Sequence, residues 1–222
     1  MPLFKLFVVG LILSVFPGCG MLVKSHVTRF HDGLDKLRAS NNTAFAVMPY
    51  KEQQGDLEYK LYARSISSKL VEAGFVEVGN IDKAALAVFF SYGIDSGQDV
   101  AYSYPIYGQT GGGTTSHSGT VNSYGGSASY SGTSYTTPTY GVVGQASGRK
   151  TKYTRVLKLE IVDLRNSSEK NLVIVFQGEV KSKGSSSSFS SVSECLIEAM
   201  FDKFPGANGD TSTVINSKCI KK

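Results

Sequence analysis

The sequence has 222 residues, with 23 Lys+Arg against 18 Asp+Glu, 41% hydrophobic residues and no Trp, a size that suits one domain with an appendage or two very small ones. A formal net charge of +5 is too small and too scattered to argue for nucleic acid, and with no long apolar span a polytopic membrane protein is excluded. Charged residues reach only 18% while Gly reaches 24, and one segment of the chain accounts for both.

Residues 1–19 read MPLFKLFVVGLILSVFPGC. Lys5 precedes an uncharged, mostly apolar run from Leu6 to Phe16, which as a helix rises roughly 16 Å, about half of a bilayer's hydrocarbon core. That is the size of a signal-peptide h-region. Pro17-Gly18-Cys19 ends the run, and a Cys directly after Gly at this place resembles a bacterial lipobox. The expectation is a signal peptide over 1–18, acylation of Cys19 as the first mature residue, and a tether over 19–42. Phe16 and Pro17 stand where a lipobox has other residues, so a signal peptide cut elsewhere or an uncleaved anchor is the competing reading. Gly20, not Asp, follows the Cys, which in such lipoproteins points to the outer membrane. Two or more acyl chains give stable attachment where one does not.

The tether is polar, with room for a short strand over 26–30. TAFAVM at 43–48, stopped by Pro49, reads as a buried strand. Asp56 is placed to cap a helix over 57–73, whose Leu57, Leu61, Tyr62, Ile66 and Leu70 share a face and which Gly74 stops. Strands follow over 75–78 and 85–92. Residues 153–164 alternate apolar and polar, and with 172–181 they form a hairpin around the turn at 165–170. Ser191-Val192-Ser193-Glu194 matches a capping box ahead of a helix over 192–204, with Val192, Cys195, Leu196, Ala199, Met200 and Phe204 on one stripe. Pro205-Gly206 ends it, and 207–222 is a polar tail. These elements predict an α+β two-layer sandwich over 43–206, a mainly antiparallel sheet covered by the two helices. With Cys19 lipidated, Cys195 and Cys219 remain. A bridge between them would stabilise by about 3 kcal/mol on the chain-entropy model, and a buried free thiol at Cys195 is the equal alternative.

From Val100 to Gly148 there is no Asp, Glu, Lys or Arg in 49 consecutive residues, and residues 105–148 hold 11 of the 24 Gly. Two readings compete for this insertion. One is a flexible, collapsed Gly/Ser/Thr loop without the apolar content for a core. The other treats Tyr107, Tyr124, Tyr130, Tyr135 and Tyr140, with Tyr102 and Tyr104, as spaced contact residues of an arm that adds strands to a partner or stacks on sugar rings, with the flanking strands 85–92 and 153–164 continuing into it as a long β-ribbon. Arg149, Lys150, Lys152, Arg155 and Lys158, with Lys181 and Lys183 on the next strand, form a basic patch at the insertion's mouth. It reads either as a solvated sheet face or as a contact for anionic envelope polymer.

Several strings carry a resemblance: EQQGDLEYKLYA at 52–63, FFSYGID at 89–95, SYPIYGQTGGGTTSHSGT at 103–120, SGTSYTTPTYGVVG at 131–144, YTRVLKLEIVD at 153–163 and CLIEAMFDKFPG at 195–206. Together they resemble a family of Gram-negative envelope lipoproteins catalogued as a domain of unknown function. The resemblance spans roughly residues 27–206. It implies an envelope lipoprotein with a compact α+β domain, and it supplies no catalytic residues.

Chemistry-bearing patterns are absent from the sequence. Gly93-Ile94-Asp95-Ser96-Gly97 has Asp where a nucleophile elbow has Ser. No Gly-Lys-Ser/Thr follows Gly111-Gly112-Gly113, and His26, His31 and His117 lack metal spacing. No catalytic, metal-binding or cofactor-binding residue is therefore assigned. The expectation is a non-enzymatic lipoprotein on the periplasmic side of an outer membrane, held by its lipid anchor, with an envelope protein as partner and no role in nucleic-acid binding. Binding of glycan or anionic polymer through the Tyr-rich arm and basic patch is the alternative.

Overall fold

The computed structural model describes residues 22–39, 43–168 and 171–216. The chain forms two compact units, one of Asp99–Thr151 and the other comprising the chain up to Gln98 and from Lys152 onward.

In the larger unit, period-two alternation sets the strands. β1 (Val23–His31) turns Val23, Ser25, Val27 and Arg29 inward and leaves Lys24, His26 and Phe30 outside. β2 (Ala44–Val47) leads through a 3₁₀ turn at Lys51–Gln53 into α2 (Leu57–Glu72), and a short α1 (Leu34–Ala39) precedes it. After α2 come β3 (Val76–Glu77) and β4 (Leu86–Ile94). Because α2 carries the chain back across the sheet, β2 lies parallel to both β3 and β4. β6 (Gly126–Ser168) and β7 (Asn171–Gly184) are antiparallel, as are β4 with β6 and β1 with β7. α3 (Ser193–Phe201) and β8 (Thr211–Asn216) follow, β8 pairing antiparallel with β1. The order is β3-β2-β4-β6-β7-β1-β8, with β5 (Gln98–Ser123) pairing β6 off this path.

One bulge re-aims side chains. Ile161 faces Phe176 and Val162 faces Ile174, so Val175 has no opposite number and the neighbours Val175 and Phe176 are both buried. The inward residues of the sheet and those of α2 and α3 form one core that includes Tyr62, Phe45, Phe90 and Leu196.

The expected two-layer sandwich, a mainly antiparallel sheet covered by helices over 57–73 and 192–204, is corrected. The described residues are 60% strand and 18% helix, and form one eight-stranded mixed sheet whose β3, β2 and β4 are parallel. Three causes lie in the sequence. The uncharged insertion is strand, since Thr, Tyr, Val and Ser suit a pleated ribbon and only its Gly content mimics a loop. The short strand expected over 26–30 of the tether extends to the whole of β1, and the polar tail supplies β8.

The helix readings also need adjustment. Leu57 and Leu61 are 78% and 49% exposed, and Tyr59 takes the inward place with Tyr62, Ile66 and Leu70. The cap of α3 is Val192, without a side-chain hydrogen bond, so no capping box forms there. Ser191 Oγ instead meets Ser186 Oγ at 2.7 Å and donates to Ser188 O at 2.8 Å.

Candidate functional site

The unit Asp99–Thr151 contains the strand segments on either side of a two-residue turn, Tyr124-Gly125, which joins β5 to β6. Gly125 has φ 112°, a backbone region that side chains resist. Contacts across the ribbon run in opposite directions along the two strands, as an antiparallel hairpin requires. Thr151 Oγ1 donates to Asp99 Oδ1 (2.8 Å), Gln145 Nε2 donates to Ser103 Oγ (3.1 Å), Thr110 and Thr139 hydroxyls meet at 3.2 Å, and His117 Nε2 lies 2.9 Å from Ser134 Oγ.

The glycines of this ribbon seat neighbouring rings. A Cβ at Gly148 would come within 2.7 Å of the Tyr102 hydroxyl and 2.8 Å of its ring, and one at Gly119 within 2.7 Å of the Tyr130 ring. Each tyrosine folds over the backbone of the opposite strand, which is how an aromatic residue shields a glycine in a sheet. Tyr102 and Tyr104 stack with centroids 6.2 Å apart and planes 16° apart. At Gly112, φ 75° and the closeness of the Thr137 carbonyl leave no room for a side chain, and Gln109 Nε2 donates to its carbonyl at 2.8 Å.

No residue of Asp99–Thr151 is buried. Tyr107, Tyr124, Tyr130, Tyr135 and Tyr140 are all exposed, as are Ile106, Val121, Val142 and Val143. A two-stranded ribbon without a core is marginal in water by itself, and ordering each residue costs about 1–2 kcal/mol of backbone entropy. Such an element gains what it lacks by pairing or packing against something else. Its surface presents wide aromatic area, hydroxyls, backbone donors and acceptors along its edges, and no formal charge from Val100 to Gly148.

Arg149 and Lys150 belong to the ribbon unit and Lys152 to the other. Arg155 points inward at 3% exposure, donating to Ser182 Oγ (3.0 Å) and Ser186 O (3.3 Å). Burial lowers its pKa, and Asp95 opposes that shift. On the outer face, Lys158 and Lys181 both reach the Glu179 carboxylate.

Two arrangements were not legible in the sequence. In the first, carboxylates on α2 hold tyrosines: the Tyr92 hydroxyl donates to Asp56 Oδ2 (2.9 Å) and the Tyr62 hydroxyl to Glu58 Oε1. Burial, then these hydrogen bonds, drive both phenols well above their ordinary pKa. They border an open groove of about 740 Å³, walled by Leu57, Leu61, Tyr62, Tyr92 and Phe189. In the second, Arg29 closes the end of α3, Nη2 donating to Ala199 O and Asp202 O (both 2.8 Å) and Nε to Met200 O (3.1 Å). Burial lowers its pKa, with Asp202 opposing. The only advance signal was an Arg on the inward parity of β1, visible once β1 is read as a strand.

Cys195 is fully buried on α3 and disulfide-bonded. Cys19 and Cys219, with the whole signal-peptide region, lie outside the described residues. Among the described residues no three His, Cys, Asp or Glu side chains converge as a metal-holding group, and no helix is long and apolar enough to cross a membrane.

The model of a family described as a domain of unknown function, DUF4136, matches residues 31–206. None of the curated proteins matches the chain. Among solved structures, a PDZ domain protein from Parabacteroides distasonis ATCC 8503 is similar at a TM-score of 0.42 and 12% identity. That likeness covers 88% of this chain and 38% of the other, and at this distance it carries no argument about fold or role.

Proposed function

This chain belongs to the DUF4136 family of domains of unknown function, and from that premise we propose that it is a lipid-anchored envelope protein that binds and does not catalyse. Its contact surface is the ribbon Asp99–Thr151. Acylation of Cys19 after removal of the leader holds it on the outer membrane, facing the periplasm. The support for the anchor is the short apolar run closed by Pro17-Gly18-Cys19, too short to span and right for an h-region.

The observation that carries the binding role is the ribbon itself: ordered strand over Asp99–Thr151 with no buried residue and five exposed tyrosines from Tyr107 to Tyr140. A protein partner is favoured over an anionic polymer. Arg155 is turned inward, and Glu179 offsets Lys158 and Lys181, whereas a polyanion site needs clustered, unopposed cations. The non-enzymatic reading has its own support. The carboxylates Asp56 and Glu58 each accept from a tyrosine hydroxyl, the first linking the start of α2 to β4 and the second lying within α2, so both are engaged in holding structure.

Photoreactive side chains placed singly at Tyr124, Tyr135 and Tyr140, and at Phe30 in the other unit as control, test this in intact cells. Capture at the ribbon positions and not at Phe30 is expected; capture at Phe30 alone would contradict it. For the anchor, Cys19→Ala is expected to move the protein from the membrane to the soluble fraction. Unchanged membrane association would overturn that part.

A further inference from the structure

The ribbon's two long edges are not equivalent. β5 carries Pro105, which has no N–H to offer, and the left-handed pair Gly112-Gly113, which interrupts its pleat. β6 from Gly126 to Gly148 has a single proline, Pro138, and no residue at positive φ. Beyond that proline lies TYGVVGQASG, residues 139–148, ten residues without charge or proline, with Tyr140, Val142 and Val143 exposed. Among the described residues, β6 meets β4 and β7 only from Tyr153 onward, so along 139–148 the edge away from β5 is unpaired.

Natural sheets blunt such an edge with Lys, Pro, inward charges or a bulge. This one carries none of them over a stretch long enough for several ladder hydrogen bonds. The composition also says what fits there. A strand edge is complementary to any other strand, and residues 100–148 carry no formal charge. Two copies of this segment therefore meet with no ionic repulsion and no buried unpaired charge, and their branched and aromatic side chains fall beside one another.

We propose that the ribbon's β6 edge, residues 139–148, pairs with the same edge of a second copy. The pairing is antiparallel about a two-fold axis and joins two hairpins into one four-stranded sheet. The symmetry is isologous, so the contact closes as a dimer on this edge. The proposal rests on the ribbon's binding role and names its partner.

Sedimentation of the full chain in detergent across a concentration series provides the test. Wild type is expected to dimerise reversibly. Val143→Lys places two like charges near the two-fold axis and is expected to weaken association about tenfold, as is Val143→Glu. An equimolar mixture of the two variants is expected to recover association, which a folding defect in either could not produce. Val121→Lys on β5 adds the same charge away from the contact and is expected to leave the dimer intact.

A wild-type chain that stays monomeric overturns the proposal. So does a mixture that remains monomeric, or a loss on Val121→Lys equal to that on Val143→Lys. If self-association fails while Tyr135 still captures a different molecule in cells, the homotypic partner is wrong and the binding role stands. If no ribbon position captures anything, the binding role itself fails.

Discussion

Arg29 shows how much one buried side chain can set. α3 ends where Arg29 takes the Ala199, Met200 and Asp202 carbonyls, groups a helix end otherwise leaves to solvent. The planar guanidinium reaches all three, which an ammonium cannot do in the same geometry. Arg29→Met is expected to cost about 2–4 kcal/mol in urea unfolding, and Arg29→Lys to recover less than half of that. Tyr59 is the opposite case. Its hydroxyl is buried with no hydrogen-bond partner among the described residues, while its ring stacks on Phe90 at 4.7 Å. Tyr59→Phe keeps the stack and removes the unsatisfied group, so stability is expected to stay level or rise by up to about 1 kcal/mol. Burial also pushes the Tyr59 phenol up to about 12, and Tyr62 and Tyr92 are raised in the same direction. A phenol whose pKa is higher in the folded state holds its proton after the unfolded chain has lost it. Its contribution is complete below about pH 10 and falls as pH climbs above that. Denaturation midpoints measured from pH 9 to 12 should decline, and less steeply in Tyr59→Phe.

At the scale of elements, α2 is tied at its first turn. Asp56 accepts from the Glu58 amide (2.8 Å) and from the Tyr92 hydroxyl on β4, so one carboxylate serves as helix cap and as link to the sheet. Asp56→Ala is expected to cost about 1 kcal/mol for the cap and somewhat more through the lost link; Asp56→Asn, which still caps, separates the two in a denaturant titration. The ribbon has a comparable weak point. Gly112→Ala would put a methyl group against the Thr137 carbonyl at a φ that side chains resist, so far-UV circular dichroism should lose strand signal from the ribbon while α2 and α3 persist.

These elements also mark how far the sequence could be read. The Asp56 cap and the 153–181 hairpin follow from local rules, because turn chemistry and alternation are recorded in adjacent residues. The inward face of α2 is not set by apolarity alone: Leu57 outranks Tyr59 there, while ring stacking on Phe90 is decided by a strand more than thirty residues away. β1 shows in the sequence only as a short strand over 26–30, because Ser25 and Arg29 take inward places on it, and β8 lies in a polar tail with little apolar content to announce it. The ribbon was the hardest case, since Gly signals a loop unless its cross-strand tyrosine is known, and no burial pattern exists there to betray the period.

For the whole molecule, the division at Gln98 and Lys152 implies that the core around Tyr62, Phe90 and Leu196 does not depend on the ribbon. Replacing residues 100–150 with a short Asn-Gly turn is expected to leave a cooperatively folding body with an unchanged denaturation midpoint, since only uncored residues are removed. The same deletion is expected to abolish capture and self-association together.

Amide hydrogen exchange along residues 99–151 in the full chain tests the central claim most directly. A paired ribbon protects alternate amides on both strands, and the proposed dimer protects the intervening amides of 139–148 as well, in proportion to concentration. Uniformly fast exchange from Asp99 to Thr151 at every concentration would contradict the account.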